Sequence, residues 1–153
     1  MSSKLDFCNS LYIHLPQTLI KRLQLVQNSL ARVIFPSVKK FDNITDSLKK
    51  LHWLPIEQRI QFKIAVLTFK TLQLNSPSYL SDLLKYKKSE RNLRSNDKNY
   101  LSVPFVNSVL GERAFSYTAP SLWNSLPDSL RTCTSLASFR RDLKTYLFSM
   151  LPP

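Results

Sequence analysis

Glycine is almost missing from this chain: Gly111 is the single glycine among 153 residues. At the average usage of about 7%, a chain of this length would hold roughly 11 glycines. Walker-type phosphate loops and dinucleotide-binding fingerprints both need clustered glycines, because their backbone amides must approach phosphate closely. The sequence therefore excludes both kinds of loop, and we expect no cofactor.

Soft and imidazole metal ligands are also scarce. The chain has two cysteines, Cys8 and Cys133, and two histidines, His14 and His52. None of them shows a close paired spacing such as C-x2-C, which structural zinc sites use. Two distant cysteines do not make a disulfide scaffold, so we expect two free thiols and no bound metal.

Long apolar runs are missing as well. A membrane-spanning helix needs about 18 or more consecutive apolar residues, and the chain has no such run. Residues 1–8 lack the apolar region that a signal peptide has after its first basic residue. We expect a soluble, intracellular protein, in nucleus or cytoplasm, with neither a membrane nor a small-molecule substrate as partner.

Acidic residues are few and scattered. The 10 Asp and Glu include no adjacent pair, whereas a two-metal polymerase or nuclease site needs clustered acids. His52, beside Trp53, is interpreted as a packed hinge residue rather than a catalytic base. We therefore predict that the chain is not an enzyme.

The 22 Lys and Arg outweigh these acids and give a formal net charge of +12. Charge alone would suit a polyanionic partner, either nucleic acid or an anionic membrane surface, and of the two we expect nucleic acid, RNA or DNA. A solvated basic surface without a specific ligand is the alternative.

Helical periodicity dominates the chain. We predict a mainly α, irregular helical domain of about five to seven helices that occupies residues 1–153 as one unit. Residues 100–105 alternate with period two and are the best strand candidate, and Pro104 limits that strand to a sheet edge. Pairing with residues 92–94 would give a small β-hairpin near Leu93 and Val103. The predicted helices cover residues 17–35, 45–51, 56–74, 78–84 (capped by Ser76) and 135–149, with two short helices in 111–127 broken at Pro120.

Three of these helices carry informative faces. The first has one apolar stripe, formed by Leu19, Leu23, Val26, Leu30 and Val33. The helix at 56–74 is apolar around most of its circumference, which predicts a central, buried helix. Its remaining basic stripe consists of Arg59, Lys63 and Lys70.

The last helix separates its two faces in the same way. An apolar stripe is formed by Leu136, Phe139, Leu143 and Leu147, and Arg140, Arg141 and Lys144 lie outside it. Basic stripes on successive helices favour one continuous positive surface, and solvated helix faces are the alternative.

A basic segment at residues 85–98 is the best candidate for nucleic-acid binding, because phosphates bind Lys and Arg and unpaired bases stack on aromatic rings. We predict a loop or poorly ordered stretch there, and a plain solvated linker remains the alternative. The predicted binding residues combine this loop with the last helix: Lys85, Tyr86, Lys87, Lys88, Arg91, Arg94, Arg140, Arg141 and Lys144.

Seven short motifs follow one another in an order that resembles a known protein family. They are LDFCNSL (5–11), LQLVQN with AR (23–28, 31–32), LHWLP with RIQFK (51–55, 59–63), SPSYLSDLL (76–84), RNLRS (91–95), RAF with APSLWNSLP (113–115, 119–127) and SFRRDLK (138–144). The set resembles the C-terminal region of reverse transcriptases of non-LTR retrotransposons, or LINE elements, of the Jockey and chicken-repeat type.

The resemblance implies a region without its own catalytic centre. In such enzymes a palm domain with a Tyr-x-Asp-Asp motif holds two metal ions, and neither that motif nor the family's endonuclease occurs in this sequence. The region is expected to help grip template RNA or target DNA, and Met1 is expected to correspond to an internal position of longer relatives.

Two functions therefore follow as expectations. The first is a catalytically inactive fragment that binds RNA or DNA without sequence preference. The alternative is a structural or interaction module that packs against a reverse transcriptase core, with residues 5–15 as its exposed apolar remnant.

Overall fold

A computed structural model of the chain describes residues 5–39, 42–87 and 99–151. Within these ranges the fold is mainly α, as the sequence predicts, with two short 3₁₀ helices, Asn9–Tyr12 and Gly111–Arg113. The α-helices are α1 (Gln17–Ile34), α2 (Thr45–Lys50), α3 (Ile56–Leu74), α4 (Ser78–Ser81), α5 (Phe115–Ser125), α6 (Asp128–Arg131) and α7 (Leu136–Ser149). None of the described helices is long and apolar enough to cross a membrane.

Helix α3 is the centre of the fold, which confirms the expectation drawn from its apolar circumference. It contacts α1, α4, α5, α7 and the first 3₁₀ helix. Phe69 of α3 stacks on Phe139 of α7 with ring centroids 4.5 Å apart, and Trp123 of α5 lies 5.9 Å from the same Phe139 ring. All three rings are buried, and buried aromatic pairs of this kind stabilise a core beyond the area that they bury.

Most of the apolar stripe of α1 lies beside the face that packs on α3, and only its residue Leu23 packs against the core. The buried residues of α1 are Ile20, Gln27 and Ala31. Gln27 Nε2 donates a hydrogen bond to the Leu54 carbonyl oxygen at 2.9 Å, and Gln24 Oε1 accepts one from the Ile56 amide at 2.9 Å. These bonds satisfy backbone groups at the start of α3, where the amides of the first turn have no partner within the helix.

Helix α5 corrects the prediction of two short helices broken at Pro120. It is one continuous helix with Pro120 inside it. Proline there removes one intrahelical hydrogen bond. The cost is offset by burial, since Ala119, Pro120 and Trp123 all lie in the interior.

Helix α4 is shorter than predicted and begins after Pro77, without a side-chain cap from Ser76. Beyond its last residue, the amides of Leu83 and Leu84 donate to the carbonyls three residues earlier, at 3.1 and 3.2 Å. This tighter turn ends the α-helix before residue 84.

The predicted strand at residues 100–105 is reduced to a single antiparallel bridge between Tyr86 and Leu101. The other side of Leu101 is occupied by a side chain: Asn124 Oδ1 accepts from the Leu101 amide and Asn124 Nδ2 donates to its carbonyl, both at 2.8 Å. One carboxamide thus replaces a neighbouring strand. The predicted pairing partner, residues 92–94, lies outside the described residues.

The N-terminal segment is mostly part of the core. Leu5, Tyr12, Ile13 and Leu15 pack against the buried cluster. Of the apolar remnant expected at residues 5–15, only the side chains of Phe7 and Leu11 remain exposed among its large hydrophobic residues.

Candidate nucleic-acid interface

A groove of about 530 Å³ lies along α3 and α7, and cations from both helices line it. We call it the basic groove. Its basic side chains are Arg59, Lys63 and Lys70 of α3 and Arg140, Arg141 and Lys144 of α7. The remaining lining consists of Asp6, Asn9, His52, Leu54, Phe62 and Val66.

The spacing of the cations explains why they share one groove. Arg59, Lys63 and Lys70 are separated by four and seven residues, which at about 100° per residue keeps them within a narrow sector of α3. On α7, Arg140 and Lys144 are four residues apart and lie above one another, beside Arg141. Because α3 and α7 pack together through their apolar faces, the two basic stripes meet at the edge of that contact.

Two of these arginines have acidic neighbours. Arg59 Nη1 lies 2.9 Å from Asp6 Oδ1, and Arg59 Nε donates to the Leu54 carbonyl oxygen at 3.0 Å, so this guanidinium is fixed at one end of the groove. Arg141 Nε lies 2.9 Å from Asp142 Oδ1 on the exposed surface. The hydrogen bond and charge of Asp142 raise the pKa of Arg141 above its ordinary value.

The other four cations have no ion pair within the part of the chain that the structure describes. They are Lys63, Lys70, Arg140 and Lys144. Among the described residues, the groove is lined by six cations and one carboxylate, that of Asp6. Such an arrangement in a concave surface attracts a polyanion more strongly than the same charges spread over a convex surface.

Asn9 adds a buried hydrogen-bond acceptor to the lining of the groove. Asn9 is 4% exposed, and its Oδ1 has no hydrogen-bond partner among the residues that the structure describes. An unpaired buried polar atom costs about 1–3 kcal/mol, so a donor that reached this atom would be favoured.

The basic loop predicted at residues 85–98 is described only at its start. Lys85, Tyr86 and Lys87 are exposed, and two backbone bonds hold them beside residues 100–102: Lys87 N to Tyr100 O at 2.9 Å and Ser102 N to Lys85 O at 2.8 Å. None of these three residues lines the basic groove. Lys88, Arg91 and Arg94 lie outside the described residues.

The aromatic residues near this loop differ in their availability. The Tyr86 side chain is 49% exposed, as a stacking platform requires. The Tyr100 ring is covered by the Arg131 guanidinium, 4.2 Å from the ring centroid. The guanidinium therefore blocks one face of the Tyr100 ring, and a base cannot stack on that face.

The structure thus brings together Arg140, Arg141 and Lys144 with three cations that the predicted binding set omitted. The sequence signal for Arg59, Lys63 and Lys70 was present in their stripe on α3, but nothing local showed which neighbouring helix that stripe would meet. His52 is exposed and lines the same groove, so its interpretation as a packed hinge residue is wrong.

Within residues 5–39, 42–87 and 99–151, no group of three His, Cys, Asp or Glu residues comes together to hold a metal ion. Comparison of the chain with protein families, with curated proteins and with solved structures finds no match.

Proposed function

We propose that this chain is a nucleic-acid-binding accessory module, without a catalytic centre of its own, that holds RNA or DNA in the basic groove without sequence preference. The observation that carries the proposal is the convergence of six cations from two helices on one concave surface. Lys and Arg neutralise phosphates and release condensed counterions, which gives affinity that does not depend on base sequence.

The dimensions of the groove fit a short length of backbone. Arg59 and Lys70 are eleven residues apart on α3, which corresponds to roughly 16 Å along the helix. Phosphates of one strand of a duplex advance by about 3.4 Å each along the axis, so the α3 stripe extends over about five of them. Phe62, half-buried in the lining, is an aromatic ring at the same surface.

We also propose that the module corresponds to the region that follows the reverse transcriptase domain in non-LTR retrotransposons. Two of the motifs that carry this resemblance, RIQFK and SFRRDLK, supply five of the six cations of the groove: Arg59, Lys63, Arg140, Arg141 and Lys144. The resemblance and the charge argument therefore rest on the same side chains, which supports a role in gripping template or target.

A salt titration tests the binding proposal. A labelled single-stranded RNA of about twenty nucleotides, and its DNA equivalent, are titrated with the chain between about 50 and 200 mM salt. If four to six cations engage phosphates, log K falls against log salt with a slope of about −3 to −4. Undetectable binding at the lower salt concentration, or affinity that does not change with salt, contradicts the proposal.

A pair of matched variants locates the site. Lys63→Ala with Lys144→Ala removes one cation from each side of the groove, and we expect about tenfold weaker binding and a slope smaller by about 1.4. Lys21→Ala with Lys49→Ala removes two exposed lysines outside the groove and serves as the control. Equal losses in the two double variants would show that the groove is not the site.

The alternative function, an interaction module, is also favoured by a specific observation. The apolar stripe of α1 remains largely exposed in the fold, and it is a more extensive surface than Phe7 and Leu11 of the N-terminal segment.

A further inference from the structure

Helix α1 exposes apolar side chains at regular spacing along its apolar stripe. Three of the five stripe residues, Leu19, Val26 and Val33, have 41%, 50% and 77% of their surface exposed, respectively. At about 100° per residue, the centre of the stripe lies roughly a quarter turn away from the buried face formed by Ile20 and Ala31. Leu23, at the edge of the stripe, packs against the core. Helix α1 therefore uses one face within this fold and leaves Leu19, Val26 and Val33 exposed beside it.

The spacing of the stripe distinguishes it from exposed apolar residues that are scattered singly. The stripe residues follow one another at intervals of four, three, four and three: Leu19, Leu23, Val26, Leu30 and Val33. Alternation of three and four is the repeat by which two helices pack knobs into holes in a coiled coil. Isolated exposed hydrophobic residues need no explanation, whereas a continuous stripe of this kind marks an interaction surface.

The charge beside the stripe indicates the chemistry of the partner. Helix α1 has no acidic residue, and of its three basic residues Arg22 borders the stripe, whereas Lys21 and Arg32 lie on the opposite face. Arg22 is exposed and directly precedes Leu23, at a position from which flanking residues of a coiled coil contact the partner helix. A second copy of the chain would bring another net +12 to this surface, which is unfavourable, whereas acidic flanking residues would complement it.

We infer that the exposed stripe of α1 docks an amphipathic helix of a partner protein, with leucine or valine in its seam and acidic residues beside the seam. The inference goes beyond the proposed nucleic-acid binding, because no α1 residue lines the basic groove. The partner needs acidic residues on one flank only, since the other flank of the stripe, at Ile20 and Gln27, is buried against this chain's own core.

Synthetic three-heptad peptides test the inference on the whole chain by fluorescence anisotropy at about 150 mM salt. The probe has Leu at its seam positions and Glu beside them. One matched peptide has Lys in place of Glu, and a second has the composition of the probe with the leucines out of heptad register. We expect the probe to bind at least about tenfold more tightly than either matched peptide.

Substitutions on α1 separate this surface from the basic groove. Val26→Ser with Val33→Ser is expected to weaken probe binding by about tenfold or more while leaving RNA binding unchanged. The control is Leu25→Ser, because Leu25 is exposed on α1 but lies off the stripe. Lys63→Ala with Lys144→Ala should weaken RNA binding and leave probe binding unchanged.

Three results would overturn the inference. The first is equal affinity for the probe and the out-of-register acidic peptide, because that binding would be electrostatic alone. The second is probe affinity that the Val26→Ser, Val33→Ser variant retains. The third is a dimer of the chain in sedimentation that the same variant abolishes, because a second copy would then be the occupant of the stripe.

Discussion

Helices α1 and α7 have similar amphipathic patterns and opposite placements in the fold. The α7 stripe is buried, with Phe139, Leu143 and Leu147 all at most 2% exposed, and its cations face the basic groove. Most of the α1 stripe faces outward, with Val33 77% exposed, and Leu23 at its edge packs against the core. An amphipathic period therefore identifies a face that needs an apolar partner, but it does not show whether that partner belongs to the same chain.

Substitutions in the buried α7 stripe and in the exposed α1 stripe should differ most in their effect on the free energy of unfolding. Phe139→Ala removes a ring that stacks on Phe69 at 4.5 Å and leaves a cavity in the core. We expect the free energy of unfolding to fall by about 3–5 kcal/mol, measured by urea denaturation. Val33→Ala on α1 should change it by no more than about 0.5 kcal/mol. A cost for Val33→Ala as large as that for Phe139→Ala would show that the α1 stripe is buried in solution.

A smaller effect is expected from the polar contacts that orient α1. Gln27 is fully buried, and Gln27→Ala removes its bond to the Leu54 carbonyl, so we expect a loss of about 1–3 kcal/mol. Gln24→Ala leaves the Ile56 amide at the start of α3 without its partner and should cost about 1 kcal/mol, as loss of a helix cap does.

The exposed Gln17→Ala, at the first residue of α1, is the control and should lie within about 0.5 kcal/mol of the unmodified chain in the same urea experiment. If all three glutamine variants behave alike, the orientation of α1 does not depend on these bonds.

The smallest effect is expected on the outer surface of α7. Asp142→Asn removes the ion pair with Arg141 on the exposed surface, where such pairs contribute little to stability. We expect an unchanged urea midpoint and about twofold tighter RNA binding, because a negative charge next to the groove is lost. Weaker RNA binding would instead show that Asp142 holds Arg141 in its binding position.

The pH dependence of this pair follows from the same contact. Asp142 raises the pKa of Arg141, whose ordinary value is already far above neutrality. A cation with a raised pKa in the folded state stabilises the fold below its unfolded pKa and loses that contribution only as the pH rises through the folded value. The titration of Arg141 is therefore expected to leave the urea midpoint constant between about pH 6 and 8.

The long helices could be predicted closely from the sequence. The predicted bounds 56–74 coincide with α3, and those of α1 and α7 differ by one residue at one end. The 3.6-residue period and the prolines that precede α1 and α3 are local signals, so they do not depend on the rest of the fold.

The errors occur where distant residues override a local rule. Pro120 lies inside α5 because burial beside Trp123 compensates for the lost hydrogen bond. At residues 100–105 the expected strand is replaced by contacts to Asn124, which lies 23 residues from Leu101. The Asn124 side chain forms hydrogen bonds with both the backbone amide and the carbonyl of Leu101. Neither contact has a signature in its neighbouring sequence.

Half of the cations that line the basic groove could be predicted from the sequence as members of one site. The sequence predicts Arg140, Arg141 and Lys144 as binding residues and places Arg59, Lys63 and Lys70 on one stripe, but it does not show that the two sets meet. Joining the stripes requires the packing of α7 on α3, which depends on contacts such as Phe69 with Phe139, 70 residues apart in the chain.

The amino-acid sequence specifies which residues share a helix face, how much positive charge the chain carries and that its acids form no local cluster. These are properties of composition and short-range spacing. Tertiary packing makes the two basic stripes meet in one groove and leaves most of the apolar stripe of α1 exposed. Helix α3 has a limited apolar surface, and only some helix faces can pack on it. Which faces remain exposed for a ligand or a partner therefore depends on how the helices pack, and the periodicity of each helix does not show it.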